Sequence, residues 1–156
     1  MLGFYDVDKD YIDYLKKIDH QIPNVSYESN NKFVCGVVFN VNDIQYYAPI
    51  SHMNHKQRTN MPIYSKGKII STIRFSFMFP AFDSVLVRKD FGEIAKANEQ
   101  YARLLRTEYR FCVSHQDQIR QRAKQVYDIG CNKDHALNYT CCDFTKLEKY
   151  YLDFNK

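Results

Sequence analysis

Residues 33–50, "FVCGVVFNVNDIQYYAPI", constrain the fold more than any other stretch of this chain. Two runs rich in β-branched and aromatic side chains, 33–41 and 44–50, flank Asn42-Asp43. Asn and Asp tolerate the left-handed backbone that a tight hairpin turn demands, so the pair reads as a β-hairpin. The first half of the chain is therefore expected to build an antiparallel sheet around it.

Residues 2–7 read as an opening strand. Asp8 or Asp10 then caps a helix running to Ile18, with Tyr11, Ile12, Leu15 and Ile18 on one face. Residues 19–31 are polar and turn-rich, and 51–67 are expected to form a long basic loop closed by the turn signal "SKGK". A loop of that length inside a compact domain is more often functional than idle. Residues 69–79 alternate as one strand stopped by Pro80, and 84–87 suggest another short strand. In the second half, Asn98 caps a long helix carrying Tyr101, Leu104, Leu105, Phe111 and Cys112. Residues 119–129 form a further helix for which Gly130 is the expected stop, and Asp143 caps a last one with Phe144, Leu147, Tyr150 and Tyr151. The class is α+β: sheet first, helices mostly after.

A chain of 156 residues suits one domain, taken as 1–156. Lysine and arginine outnumber the acids by 22 to 18, and a net charge of +4 fits a polyanionic partner without requiring one. The start lacks the charged and apolar signature of a signal peptide. The most apolar stretch, 69–86, is interrupted by Arg74, Pro80 and Asp83, so no membrane partner is expected. Five cysteines, two of them adjacent at Cys141-Cys142, suit free thiols in a reducing cytoplasm. Cys131, His135, Cys141 and Cys142 are the right elements for zinc but contain no Cys-x-x-Cys pair, and His52-x-x-His55 has no neighbouring cysteine or carboxylate ligand. No metal or cofactor is assigned. The chain also lacks a Gly-rich phosphate loop, a Gly-x-Ser-x-Gly elbow and a His-Glu-x-x-His motif.

The chemistry concentrates after Pro49. Within eight residues come Ser51, His52, Asn54, His55, Lys56 and Arg58. Cleaving RNA needs a base for the 2′-hydroxyl proton, cations for the charge developing on phosphorus and an acid for the leaving 5′-oxygen. This loop holds all three types of group. A solvated basic loop is the blander reading, and a non-catalytic RNA-binding module uses the same cations merely to hold phosphates. The serine and histidine beside Lys56 favour catalysis, because binding does not need them. Lys32 begins the strand paired with the one that delivers the loop, and Tyr27 just before it offers a hydroxyl or a stacking ring. Arg103, Arg106 and Arg110 share a helix face as a phosphate track or simply as a solvated face; Arg120, Arg122 and Lys124 read as solvated.

The order of these pieces resembles the ToxN/AbiQ family, the endoribonuclease toxins of type III toxin–antitoxin systems. The similar stretches are "GFYDVDKDYIDYLKKIDHQIPN", "KFVCGVVFNVNDIQYYAPIS", "STIRFSFMFP", "YARLLRTEYRF" and "CDFTKLEKYYLDF", spanning nearly the whole chain. The resemblance implies a compact α+β fold with a strongly bent antiparallel sheet and surrounding helices, like the MazF and Kid toxins. It implies metal-independent RNA cleavage leaving a 2′,3′-cyclic phosphate, and a part in phage defence. It further implies inhibition by an RNA antitoxin of tandem pseudoknot repeats, in a closed toxin–RNA assembly. The family's tyrosine and lysine before the second strand map onto Tyr27 and Lys32, and its hydroxyl after apolar-Pro onto Ser51. The chain departs from the pattern where a second hydroxyl is expected, which is His52, and its lysine comes late, at Lys56. The general base is thus open between His52 and a lysine. Arg106 stands where a family member can carry tyrosine.

Overall fold

The computed structural model describes residues 2–23, 33–51 and 57–155. Strand β1 (Gly3–Val7) leads into helix α1 (Lys9–Ile18), whose N-terminus is closed by the Asp8 carboxylate accepting from the backbone N–H groups of Asp10 and Tyr11. The apolar face of α1 buries Tyr11, Ile12 and Leu15, and the Tyr11 hydroxyl donates to Pro80 O at 2.6 Å. Strands β2 (Val34–Val41) and β3 (Ile44–Ser51) form the expected hairpin, with Asn42 and Asp43 at φ 50° and 65°. Within it Gly36 faces Tyr47; a β-carbon there would lie 2.1 Å from the tyrosine ring, so the ring's place requires glycine.

Strand β4 (Asn60–Ser65) and strand β5 (Lys68–Arg74) follow, then the two-residue β6 (Phe79–Pro80) and β7 (Leu86–Arg88). All pairings are antiparallel, in the order β4-β5-β3-β2-β1-β7, with β6 beside β3. Strand β3 is the pivot. One of its edges pairs with β2; the other meets β6 at Tyr46 and Tyr47, then β5 at Ile50 and Ser51. Because β5 also carries β4, the sheet bends where β3 changes partner.

Three expectations need correction here. Residues 51–67 are not all loop: 60–65 is strand β4, turning through Lys66 and Gly67 (φ 51° and 76°) onto β5. Pro62 obscured that strand, yet β4 is an edge, where proline is tolerated. Residues 69–79 are not one strand: β5 ends at Arg74, and the 3-10 turn Phe75–Phe77 carries the chain to β6, which contains Pro80. The alternation persisted in the sequence because Phe75, Met78 and Phe79 are all buried while the chain switches neighbours. Lastly, Gly130 does not stop its helix.

Helix α2 (Phe91–Ala97) had no counterpart in the sequence reading, although Asp90 accepts from Glu93 N in a capping arrangement. Helix α3 (Glu99–Ser114) is capped by Asn98 as expected. Helix α4 (Gln116–Cys131) continues through Gly130, where an added β-carbon would meet the Phe144 ring at 2.3 Å. Glycine is there for close approach, not for termination. Helix α5 (Phe144–Tyr150), capped by Asp143, then packs its Phe144 against Tyr46 and Tyr127. Among the described residues no helix is long and apolar enough to cross a membrane.

Candidate active site at the end of strand β3

Strand β3 delivers Ser51 to the bend. Ser51 pairs with Thr72, and Arg74 lies two residues further along β5, opposite Asn60 of β4. Alternation along the strands puts Ser51, Thr72, Arg74 and Asn60 on one face of this corner, while Ile73 and Ser71 face the core. Buried polar side chains almost always find a partner, so exceptions are informative. Ser51 Oγ, Asn60 Oδ1 and Arg74 Nε are all buried without a hydrogen-bond partner among the described residues.

Gln57 also stands at the corner. Asn60 Nδ2 donates to Gln57 Oε1 at 2.6 Å, and Asn60 N to Gln57 O at 3.2 Å. From α4, Arg122 donates to Asn60 O at 3.0 Å and to Arg58 O at 3.4 Å. Arg122, expected to be solvated, is therefore a tether that sets the backbone at Arg58 and Asn60. Arg58 itself is exposed. The Arg74 guanidinium lies over the Phe77 ring, 4.4 Å from its centroid, and burial pulls its pKa below the ordinary guanidinium value. Neither Arg58 nor Arg74 has a carboxylate partner among the described residues. Together they line a cavity of about 520 Å³ with Gln57, Thr59 and Tyr139.

Of the residues singled out from sequence, Ser51 and Arg58 thus stand at this corner. Tyr27, Lys32, His52, Asn54, His55 and Lys56 lie outside the described residues. The α3 arginines are elsewhere in role: Arg103 is exposed and ion-paired with Glu99 at 3.2 Å, Arg106 is half-buried and Arg110 exposed. Glu99, one turn earlier, thus places an acid on this face. None of the three arginines lines the cavity that holds Arg58.

The inward face of α3 carries Glu108, which is fully buried. Burial pushes its carboxyl up to about 7, opposed by the 2.6 Å bond it accepts from the Ser71 hydroxyl. Sequence reasoning missed Arg74, Asn60, Arg122 and Glu108. The one signal for Arg74 was a lone cation inside the apolar run "STIRFSF". Among the described residues no three His, Cys, Asp or Glu side chains are arranged to hold a metal; Cys141 and Cys142 are buried while Cys131 is exposed.

With the geometry in place, the comparisons with known proteins are specific. Two proteins named Endoribonuclease ToxN are similar along most of their length. That of Bacillus thuringiensis subsp. kurstaki is 26% identical over 156 residues, covering 94% of this chain and 80% of the relative. That of Pectobacterium atrosepticum is 25% identical over 168 residues, covering 99% and 95%. A solved bacterial type III toxin, described for its selective inhibition by a non-coding RNA pseudoknot, superposes with a TM-score of 0.91 at 24% identity, covering 99% of this chain and 98% of that one. AbiQ, a lactococcal anti-phage endoribonuclease, superposes at 0.84 with 22% identity, covering 99% and 98%. These two likenesses establish the shared fold, an open bent antiparallel sheet with helices. The family described as "Toxin ToxN, type III toxin-antitoxin system" matches residues 3–152, and the chain belongs to that family.

Proposed function

We propose that this chain, as one domain over residues 1–156, is a metal-independent endoribonuclease toxin held in check by an RNA antitoxin. The observation that carries the reading is Ser51: a hydroxyl with no partner among the described residues, delivered by β3 to a corner that also holds Arg58 and Arg74. A base, His52 or one of Lys32 and Lys56, removes the proton of a substrate 2′-hydroxyl. The O2′–P bond forms as the P–O5′ bond breaks, and an acid protonates the departing 5′-oxygen, leaving a 2′,3′-cyclic phosphate. Cations at the corner stabilise the charge on the phosphoryl oxygens, and Ser51 and Tyr27 orient the reacting groups. On the same reading, an RNA of tandem pseudoknot repeats occupies this surface in a closed toxin–RNA assembly, competing with substrate for the basic groups, Asn54, His55 and the α3 arginines among them.

The test is purified protein incubated with bulk RNA in excess EDTA, alongside His52→Ala. Cleavage is expected to persist, with products ending in a cyclic phosphate, and the variant to be slower by roughly a hundredfold or more. Activity lost in EDTA and restored by a divalent cation would overturn the metal-free mechanism. RNA binding without any cleavage would make the chain a binding module instead.

A further inference from the structure

The cavity beside the bend is built in a way that the cleavage chemistry alone does not explain. Arg74 is held by its stack on Phe77 and by its strand, with Nε buried and unpartnered among the described residues. On an ideal antiparallel pair it lies roughly 7–8 Å from Ser51, its diagonal neighbour, with the β-carbons somewhat closer. A planar, poorly hydrated guanidinium without an acid partner among the described residues is well suited to a phosphate. Across the same cavity stands Tyr139, 77% exposed, on the 3-10 turn Asn138–Thr140. That turn is pinned: Asn138 Nδ2 donates to Ile129 O and Gly130 O, both at 3.0 Å, and the Thr140 hydroxyl to Leu137 O at 2.6 Å. The turn thus presents a large ring to solvent from a hydrogen-bonded base. On its other side it borders a second cavity of about 520 Å³ carrying Lys133, Lys146 and Lys149. Cations with an interleaved exposed aromatic are the features by which single-stranded nucleic acid is held.

We propose that a nucleotide of the substrate strand, adjoining the cleaved bond, seats in this cavity, with its phosphate on Arg74 and its base stacked on Tyr139. The inference rests on the endoribonuclease reading and extends it to a named subsite. Stacking of this kind is tolerant of base identity, so Tyr139 contributes affinity rather than sequence choice.

The experiment compares wild type, Arg74→Ala, Arg74→Met, Arg74→Lys and Tyr139→Ala in single-turnover cleavage of a short single-stranded RNA. Binding of the same RNA, made uncleavable by 2′-deoxy substitution, is followed by anisotropy against salt. Arg74→Ala and Arg74→Met are expected to lose at least tenfold in affinity and about one unit of salt slope, with Arg74→Lys recovering part of both. Tyr139→Ala is expected to weaken binding by about tenfold with the salt slope unchanged, the loss falling on KM more than on kcat. If Arg74→Met binds and cleaves like wild type, Arg74 merely packs on Phe77 and the subsite is wrong. If Tyr139→Ala binds as tightly as wild type, the ring serves another partner, such as a protein. Wild type that binds the RNA but cleaves none would defeat the endoribonuclease reading, while the anisotropy data would still decide the subsite.

Discussion

The two ends of strand β3 are built on opposite principles. At its beginning, Tyr46 is fully buried and its hydroxyl donates to Glu148 Oε2 at 2.5 Å, where the Tyr127 hydroxyl also arrives at 2.8 Å. Phe144 packs against both tyrosine rings, edge-on to one and stacked on the other. Burial and the Glu148 carboxylate push the Tyr46 phenol well above its ordinary pKa, so it stays a donor at any working pH. Five residues on, Ser51 has a buried hydroxyl with no partner among the described residues, and Asn60 and Arg74 beside it have atoms unpartnered among them too. Glu108 Oε1, on the core side of the same corner, is a fourth. The fifth such atom, Asp6 Oδ1, lies 2.9 Å from Lys89 Nζ and is electrostatically compensated. One end is closed for stability. The other leaves polar groups open, as sites that bind and react commonly do.

Breaking the closed end should have the largest effect. Phe144→Ala removes a fully buried ring from the contact of α4, α5 and β3, and is expected to cost about 3–5 kcal/mol in denaturant unfolding. A loss under 1 kcal/mol would mean that the aromatic cluster is not the anchor described.

The next effect is a pH dependence at the open end. Glu108 is raised from 4.5 to about 7, so the folded protein retains a proton that the unfolded chain releases. Its contribution is fully present below pH 4.5 and falls as pH rises toward 7, by a total of about 3 kcal/mol. Glu108→Gln should abolish this slope and be more stable than wild type at pH 8. Unfolding curves at pH 5 and pH 8 with parallel losses in both proteins would place the buried proton elsewhere.

Smaller again is Glu148→Ala, which leaves the Tyr46 and Tyr127 hydroxyls without their shared acceptor. The expected cost is about 2 kcal/mol, read from the shift in denaturant midpoint. The smallest change in stability should come from Ser51→Ala, within about 0.5 kcal/mol, because no hydrogen bond to the described residues is lost. Its cleavage rate should nevertheless fall. A strongly destabilised Ser51→Ala protein would show that the hydroxyl has a structural partner, and the contrast between the two ends would collapse.

Short-range rules decided much of this molecule. The Asn42-Asp43 turn, the caps at Asp8, Asn98 and Asp143, and the amphipathic face of α1 each depend on residues within one or two turns of one another, and they were legible in order along the chain. So was the strand that delivers Ser51, read as 44–50 and found as Ile44–Ser51. What the sequence left open is decided across the fold. Helix α4 continues through Gly130 because Phe144, fourteen residues later, needs the space its missing side chain leaves. Residues 60–65 are a strand because β5 offers an edge, whatever Pro62 suggests locally. Arg74 looks like an interruption in an apolar run until pairing with Asn60 and the stack on Phe77 turn it toward the cavity. Periodicity and capping report the free energy of neighbours in sequence; which polar atoms end buried, paired or left open depends on contacts between distant segments, and only the tertiary structure sets those.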